Sequence, residues 1–197
     1  MKNSRYNNVV HGRDQFQRYK WLISLLCRFF SVFPPKERQK LLERARKTPG
    51  KRGLAIRYCF LKTIATSCGE NIAIMPDVYL LNASKLKIGS NVSIHPMCYI
   101  ECDGQVEIGN DVSIAHGTSI LSSTHTYTDK DTPIKYQRGV DKKVTIQDNV
   151  WIGAKSTILP GVDVSSGCVV GANCVLTKST EPDGVYVGVP ARRIKDR

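Results

Sequence analysis

The chain has 197 residues, 41% of them hydrophobic, with seven cysteines and a formal net charge of +12. Ordinary glycine, proline and cysteine contents exclude collagen-like, wholly disordered and disulfide-knot proteins, and a domain of this length can bury roughly 70% of its unfolded surface. An odd number of cysteines without paired spacing points to free thiols and a reducing compartment. No apolar run approaches the roughly 20 residues that cross a bilayer. The longest, residues 21–33, is interrupted by Arg28 and stopped by Pro34 and Pro35. No small-x-small cleavage site follows it, so the expectation is a chain that begins at Met1 and stays in the cytoplasm.

The charge is unevenly placed. Residues 1–70 hold 16 Lys and Arg against 4 Asp and Glu, whereas residues 71–197 hold 13 of each. The whole excess sits in the first third, so residues 1–70 are expected to form a basic amphipathic helical segment. Within it Trp21, Leu22, Leu25, Leu26, Phe29, Phe30 and Phe33 recur at helical spacing. A second helix over residues 36–47 follows the proline pair, and Thr48, Pro49 and Gly50 end it. Residues 54–64 fit either more helix or irregular chain. These apolar faces can pack on the rest of the protein with the charges in water. They can equally form a peripheral foot on an anionic membrane, where each nearby Lys or Arg contributes about 1 kcal/mol. Nucleic-acid binding needs only the same charge, and no recognition module or stacking aromatic motif supports it.

Residues 71–197 carry a period of six. Ile146, Ile152, Ile158, Val164, Val170 and Leu176 follow one another without a miss, and upstream stand Ile88, Ile94 and Ile100, then Ile108, Ile114 and Ile120. Ile74 and Leu80 extend the series backward, with a two-residue slip before Ile88 and another before Ile108. Neither a helix nor a single strand has this period. Six residues make one short strand and a turn, and three such units close a triangular coil that stacks on the next. Four residues after the aliphatic comes a small or medium side chain, which assigns Cys98, Cys168 and Cys174 to packing near a corner. Asn and Gly at the turns suit positive φ.

The motifs Ile108-Gly109-Asn110, Asn149-Val150-Trp151-Ile152-Gly153, Ile158-Leu159-Pro160-Gly161-Val162, Val170-Gly171-Ala172, Thr177-Lys178 and Gly188-Val189-Pro190-Ala191-Arg192 resemble those of the hexapeptide-repeat acyltransferases, over roughly residues 86–197. The match is to the sugar O-acetyltransferases, the galactoside and maltose acetyltransferase branch and its relatives in surface-polysaccharide synthesis. The resemblance implies a mainly β fold, a left-handed parallel β-helix against the general right-handed crossover rule, preceded here by the basic helical segment. It also implies a homotrimer with active sites shared between neighbours, acetyl-CoA as co-substrate, and no metal.

The sixes break between Ile120 and Ile146, where the polar residues 126–143, with Thr132-Pro133, must leave the coil as a loop. Long loops in compact domains are commonly functional, and His125 stands at the root of this one. By resemblance His125 corresponds to the catalytic base. A neutral imidazole suits the task, since it can take the proton of a sugar hydroxyl as the oxygen attacks a thioester, then return a proton to the departing thiol.

Other residues carry over by position. Asp103 matches an aspartate that binds the acceptor sugar, and His95 stands where the family usually has an acceptor-contacting asparagine, which implies an altered acceptor preference. Ala154, just after Trp151-Ile152-Gly153, would offer a backbone N–H to the oxyanion, and with Ala172 would meet the pantetheine arm. Trp151 would pack beside the cleft. Thr177, Lys178, Arg192 and Lys195 match positions at the distal end of coenzyme A, where phosphates favour cations, with Arg193 as an added basic neighbour. His11 and His116 are expected at the surface. Residues 181–197 are expected as a tail.

Four alternatives compete with this reading. A zinc carbonic anhydrase on this fold needs two histidines five apart, and His95, His116 and His125 lack that pair. Serine acetyltransferases have a longer helical domain. Antibiotic acetyltransferases share fold, base and donor, and remain the nearest enzymatic alternative. A non-enzymatic scaffold with a basic binding arm would lack donor binding.

Overall fold

The computed structural model describes residues 12–197; His11 lies outside the described residues. Three helices precede the repeats: α1 (Gly12–Ser31), α2 (Pro35–Arg44) and α3 (Gly50–Ile64). Pro35 opens α2, where its missing N–H costs nothing, and a 3-10 turn over Ala45–Lys47 completes the stretch read as residues 36–47. The segment left open between helix and irregular chain is helical, as α3. It is apolar on several sides because it lies between α1 and the repeats, burying Tyr58, Cys59, Phe60 and Leu61. Phe30 of α1 stacks on Phe60 with ring centroids 4.3 Å apart, and Phe16 meets Tyr58 edge-on at 5.4 Å.

One face of α1 is therefore core: Phe16, Ile23, Leu26, Cys27 and Phe30 pack inward. A second apolar stripe runs along the opposite face at spacings of three and four, with Trp21 at 66%, Phe29 at 60% and Val32, just past the helix end, at 82% exposure. Among the described residues no helix is long and apolar enough to cross a membrane.

The repeats build a three-sided solenoid of parallel strands. The first sheet stacks Ser67–Cys68, Leu86–Ile88, Val106–Ile108, Val144–Ile146 and Asp163–Val164. The second stacks Ala73–Ile74, Ser93–Ile94, Ser113–Ile114, Trp151–Ile152, Val169–Val170 and Gly184–Gly188, with Ala191–Asp196 antiparallel at its edge. The third stacks Tyr79–Leu81, Tyr99–Glu101, Ser119–Leu121, Thr157–Ile158 and Val175–Leu176. Residues 181–197 thus continue the second sheet and close it with a hairpin. Successive turns begin at Ser67, Leu86, Val106, Val144 and Asp163.

The aliphatic columns lie in register. Ile74, Ile94, Ile114, Ile152 and Val170 stack in the second sheet, and Leu80, Ile100, Ile120, Ile158 and Leu176 in the third. Each buried aliphatic contributes about 1.5–3 kcal/mol. Cys98, Cys168 and Cys174 are buried at the corners, and all seven cysteines are free. Left-handed backbone at Asn71, Asn91 and Asp111 aligns these turns, and Asn71 Nδ2 donates to Asn91 Oδ1 and Asn91 Nδ2 to Asp111 Oδ1, each at 3.0 Å.

The register explains the slips. They all fall at one corner, between the third and first sheets: residues 82–85 in the first turn, 102–105 in the second and 122–143 in the third. The looped excursion is the largest of three stacked enlargements of a single edge.

Candidate functional site

That edge begins at Glu101, the last residue of its strand and only 7% exposed. Its carboxylate accepts from Asp103 N at 2.6 Å, from Ser122 N at 3.1 Å, and from Ser123 N and Ser123 Oγ, both at 3.0 Å. One buried acid therefore ties the second turn to the start of the excursion. The other end is fixed too, since Lys142 N donates to Ser122 O at 2.7 Å. Gly104 fits beneath this root because a Cβ there would collide with the Ser122 carbonyl. Sequence reasoning missed Glu101; its only signal is an acid set between Ile100 and Cys102.

From the root rises a hairpin, Ser123–His125 paired antiparallel with Gly139–Asp141, His125 opposite Gly139. Thr126 N and Thr126 Oγ1 both donate to Arg138 O at 3.0 Å, which carries the pairing one residue beyond His125. The tip is held by its own side chains, with Gln137 Nε2 donating to Asp129 O at 2.7 Å and to Thr132 O at 2.8 Å. Hydrogen bonds from Thr132 and Asp131 hold the Asp129 carboxyl below its ordinary range. His125 is exposed on this framework.

Asp103 sits half-buried at the same corner. Asn82 Nδ2 donates to its Oδ1, and Lys85 Nζ to its carbonyl oxygen at 2.5 Å. The two acids shift apart. Burial alone would raise Glu101, and the hydrogen bonds from Asp103, Ser123 and Ser122 outweigh it, so Glu101 lies below its ordinary range. Asp103 is pushed up by its hydrogen bond to Glu101, by burial and by Glu101's charge. The corner therefore holds one carboxyl drawn below its ordinary range and one pushed above it.

The structure brings Asp103 and the His125 hairpin together and places His95 across the sheet. His95 follows Ile94 at the corner between the second and third sheets, its N donating to Ile114 O at 2.9 Å. Three strand residues, Tyr99–Glu101, roughly 10 Å of backbone, separate that corner from the one holding Asp103. Ala154 and Ala172 occupy the same corner as His95 in later turns; Gly153 keeps it narrow, since a Cβ there would lie 2.6 Å from Ala172 N. His116, also at this corner, is exposed, as expected.

Trp151 is exposed on the second sheet, opposite Ser113 and Val169. Thr177 and Lys178 follow the third sheet's last strand. Lys178 and Arg192 line a cavity of about 260 Å³ with Tyr186 and Arg193, and Lys195 lies further along the same edge strand. Arg193 has a different role, forming ion pairs with Glu181 and Asp196, each at 2.6 Å, that tie down the terminal hairpin. Among the described residues no group of three or more His, Cys, Asp or Glu could hold a metal ion.

The sequence-predicted residues other than Trp151, Arg192 and Lys195, which belong to the second sheet, thus line the two long edges of the third sheet. One edge carries His95, Ala154 and Ala172; the other carries Asp103, the His125 hairpin, Thr177 and Lys178. Between them the outward side chains diminish along the solenoid, from Tyr79 and Tyr99 to Ser119, Thr157 and Val175.

The fold is shared with known proteins. A family model described as the hexapeptide repeat of succinyl-transferase matches residues 143–178. The galactoside O-acetyltransferase of Escherichia coli (strain K12) is 31% identical over 145 residues, 71% of this chain and 68% of that protein. A galactoside acetyltransferase in complex with coenzyme A superposes with a TM-score of 0.73 at 28% identity, covering 82% of this chain and 80% of that one. A maltose O-acetyltransferase from Clostridium difficile 630 superposes with a TM-score of 0.70 at 26% identity, covering 84% and 87%. Shorter matches reach only part of their partners: 25% of a putative acetyltransferase of Schizosaccharomyces pombe and 38% of a probable macrolide acetyltransferase of Lysinibacillus sphaericus. A strict six-residue solenoid, an excursion rooted at one corner and relatives matched over two thirds of their length agree: the chain belongs to the hexapeptide-repeat acetyltransferase family.

Proposed function

We propose that this protein transfers an acetyl group from acetyl-CoA to a hydroxyl of a sugar, with His125 as general base. The supporting observation is the rigid root of the His125 hairpin: Glu101 and Gly104 fix it beside Asp103, at the edge of a sheet whose opposite corner carries Ala154. His125 takes the hydroxyl proton as the sugar oxygen attacks the thioester carbonyl carbon. The C–S bond then breaks and the imidazolium returns its proton to the thiolate. Within one chain Ala154 and the His125 hairpin stand at opposite edges of the sheet, so in a site shared between neighbours the backbone N–H that meets the oxyanion is that of Ala154 of the partner subunit. Asp103 and His95 hold the sugar, Ala172 and Trp151 flank the pantetheine arm, and Thr177, Lys178, Arg192 and Lys195 meet the phosphates.

The acceptor in this reading is a surface-polysaccharide unit or its lipid-linked precursor, met at the cytoplasmic face of the membrane by the outward stripe of α1. Trp21, Leu25 and Phe29 alternate there with Arg18 and Arg28, an apolar face edged by cations that suits an anionic bilayer. Sedimentation with anionic vesicles, lost when Trp21 and Phe29 become serine, supports this foot; self-association through the same face in place of vesicle binding overturns it. The assembly is a homotrimer with sites between neighbours, tested by sedimentation equilibrium.

Thiol release from acetyl-CoA with a panel of sugars, oligosaccharides, a macrolide and chloramphenicol tests the reaction, for the wild type and His125→Ala. Sugar-stimulated release that vanishes in the variant, with donor binding kept, is the expected result. Stimulation by the antibiotics alone replaces the sugar with a drug, and a folded protein that does not bind the donor overturns the enzyme reading.

A further inference from the structure

A cavity of about 160 Å³ lies between α2 and the first turns of the solenoid, and reaches the outer face of the third sheet at Tyr79 and Tyr99. It is lined by two guanidinium groups, Arg46 and Arg57. Arg57 is only 1% exposed. Its Nε donates to Ile74 O at 2.8 Å and its Nη1 to Thr48 O at 2.6 Å and Ala45 O at 3.1 Å, while Nη2 has no acceptor among the described residues. Gly53 clears its path, since a Cβ there would lie 2.8 Å from Nη1. Arg46 stacks its guanidinium carbon 3.8 Å from the centre of the Tyr79 ring, and its buried Nε also lacks an acceptor among the described residues.

A buried cation with an unmet donor costs several kcal/mol unless an anion compensates it. Neither guanidinium has a carboxylate within 4.0 Å among the described residues. Asp77 acts on Arg57 only from further away, too weakly to cancel the effect of burial, which holds its pKa down. Glu43 stands at the rim, where it accepts from Gln39 Nε2 at 3.1 Å, so among the lining residues two cations face one acid, with Asp77 outside the lining. The Tyr79 and Tyr99 rings, centroids 6.1 Å apart, give the cavity an aromatic wall. Oxyanions pair with guanidinium groups. The same wall gives the apolar face of a pyranose a surface to lie on. Tyr99 is four residues before Asp103, roughly 13 Å of chain at most, so the cavity adjoins the proposed acceptor residues.

We propose that this cavity is an anion pocket of the acceptor site: it takes the carboxylate or phosphate of a charged sugar unit whose ring lies on Tyr79 and Tyr99, beside the unit acetylated at His125. The placement rests on the sugar-acceptor reading, whereas the pocket's preference for anionic sugars is testable without turnover. The experiment is saturation-transfer NMR on the donor-free, full-length protein with methyl glucuronide, its uncharged methyl ester, glucose 1-phosphate and inorganic phosphate. Methyl glucuronide or glucose 1-phosphate is expected to bind at least about tenfold more tightly than the ester, with the stronger of the two naming the anion. Arg46→Gln, at a half-exposed position, is expected to erase that margin and Tyr99→Leu to weaken all three sugars. Equal binding of glucuronide and ester, a margin that survives in Arg46→Gln, or no binding of either anionic sugar overturns the pocket. Inorganic phosphate binding as tightly as glucose 1-phosphate overturns the sugar part of the proposal. These affinities are read on the donor-free protein without turnover, whereas the acetyl-transfer reading is read by thiol release from acetyl-CoA, so a failure of the pocket and a failure of that reading give separate results.

Discussion

The two ends of the solenoid are built to different rules. From Val144 to Leu176 each turn repeats after 18 residues, Ile146 on Val164 and Ile152 on Val170, and its corners are as tight as six-residue units allow. Before Val144 the turns repeat after 20 residues and once after 38, and every extra residue is spent at one corner. The regular end can offer a ligand little beyond backbone groups and solvent-facing cations. The enlarged corners display Asn82, Lys85, Asp103 and His125 around a buried acid. An elongated donor handled by backbone groups suits the first kind of surface, and a discriminated acceptor the second.

Two substitutions should separate these regions most sharply. His125→Ala is expected to lower the rate of acetyl transfer by about 10²–10⁴-fold, measured by thiol release, with the melting temperature unchanged because the side chain is exposed. Ile152→Ala, in the regular end, is expected to cost about 2–5 kcal/mol in denaturant unfolding, because the residue is fully buried between Ile114 and Val170. A large stability loss in the first variant, or none in the second, would mean that chemistry and scaffold are not divided in this way.

The columns were legible because a parallel solenoid demands an aliphatic residue at every sixth position, and no competing structure does. The slips were legible too, but not their shared corner, since which residues stack on one another is a matter of register between turns. α3 escaped a firm reading because it is apolar around most of its circumference, covered by α1 on one side and the solenoid on another. In the sequence Arg57 is one more charge of the basic segment; nothing local shows that the chain folds over it, with Thr48 and Ile74 both reached from one guanidinium. Glu101 was hidden for a similar reason, as its partners Ser122 and Ser123 lie a full turn away. His125 was found because it borders the longest break in the period.

Glu101→Gln probes that hidden link and ranks next. It keeps the shape but loses the charge that accepts five hydrogen bonds, and is expected to cost about 1–3 kcal/mol. If Glu101 positions the hairpin, kcat falls while the KM for acetyl-CoA holds, because the proposed donor residues lie on later turns. The pH dependence has a definite sign. A carboxyl held below its ordinary value of 4.5 in the folded state gives stability that is present above that value and is lost as pH falls through the folded pKa. The wild type should therefore lose stability below about pH 4.5 more steeply than the variant, as followed by thermal melts across that range.

Asp103→Asn should give the smallest change in stability, of opposite sign. The Asp103 carboxyl is raised above its ordinary value of 3.8, chiefly through its hydrogen bond to Glu101, so its ionised form is disfavoured in the folded protein. That penalty is present at neutral pH and disappears below the unfolded value, where both states are protonated. The asparagine carries no charge, and its amide oxygen can still accept from Asn82. At neutral pH the variant should melt at the same temperature or slightly higher, a gain of no more than about 1 kcal/mol at this solvent-screened position, and the two proteins should converge in strong acid. Its kcat/KM for the acceptor should nevertheless fall about tenfold, with donor affinity kept, if Asp103 binds the sugar. A residue whose removal stabilises the fold and impairs one substrate is retained for binding. A variant that melts lower at neutral pH and leaves acceptor kinetics unchanged would make Asp103 part of the scaffold, and the enlarged corner would then serve only to anchor the hairpin.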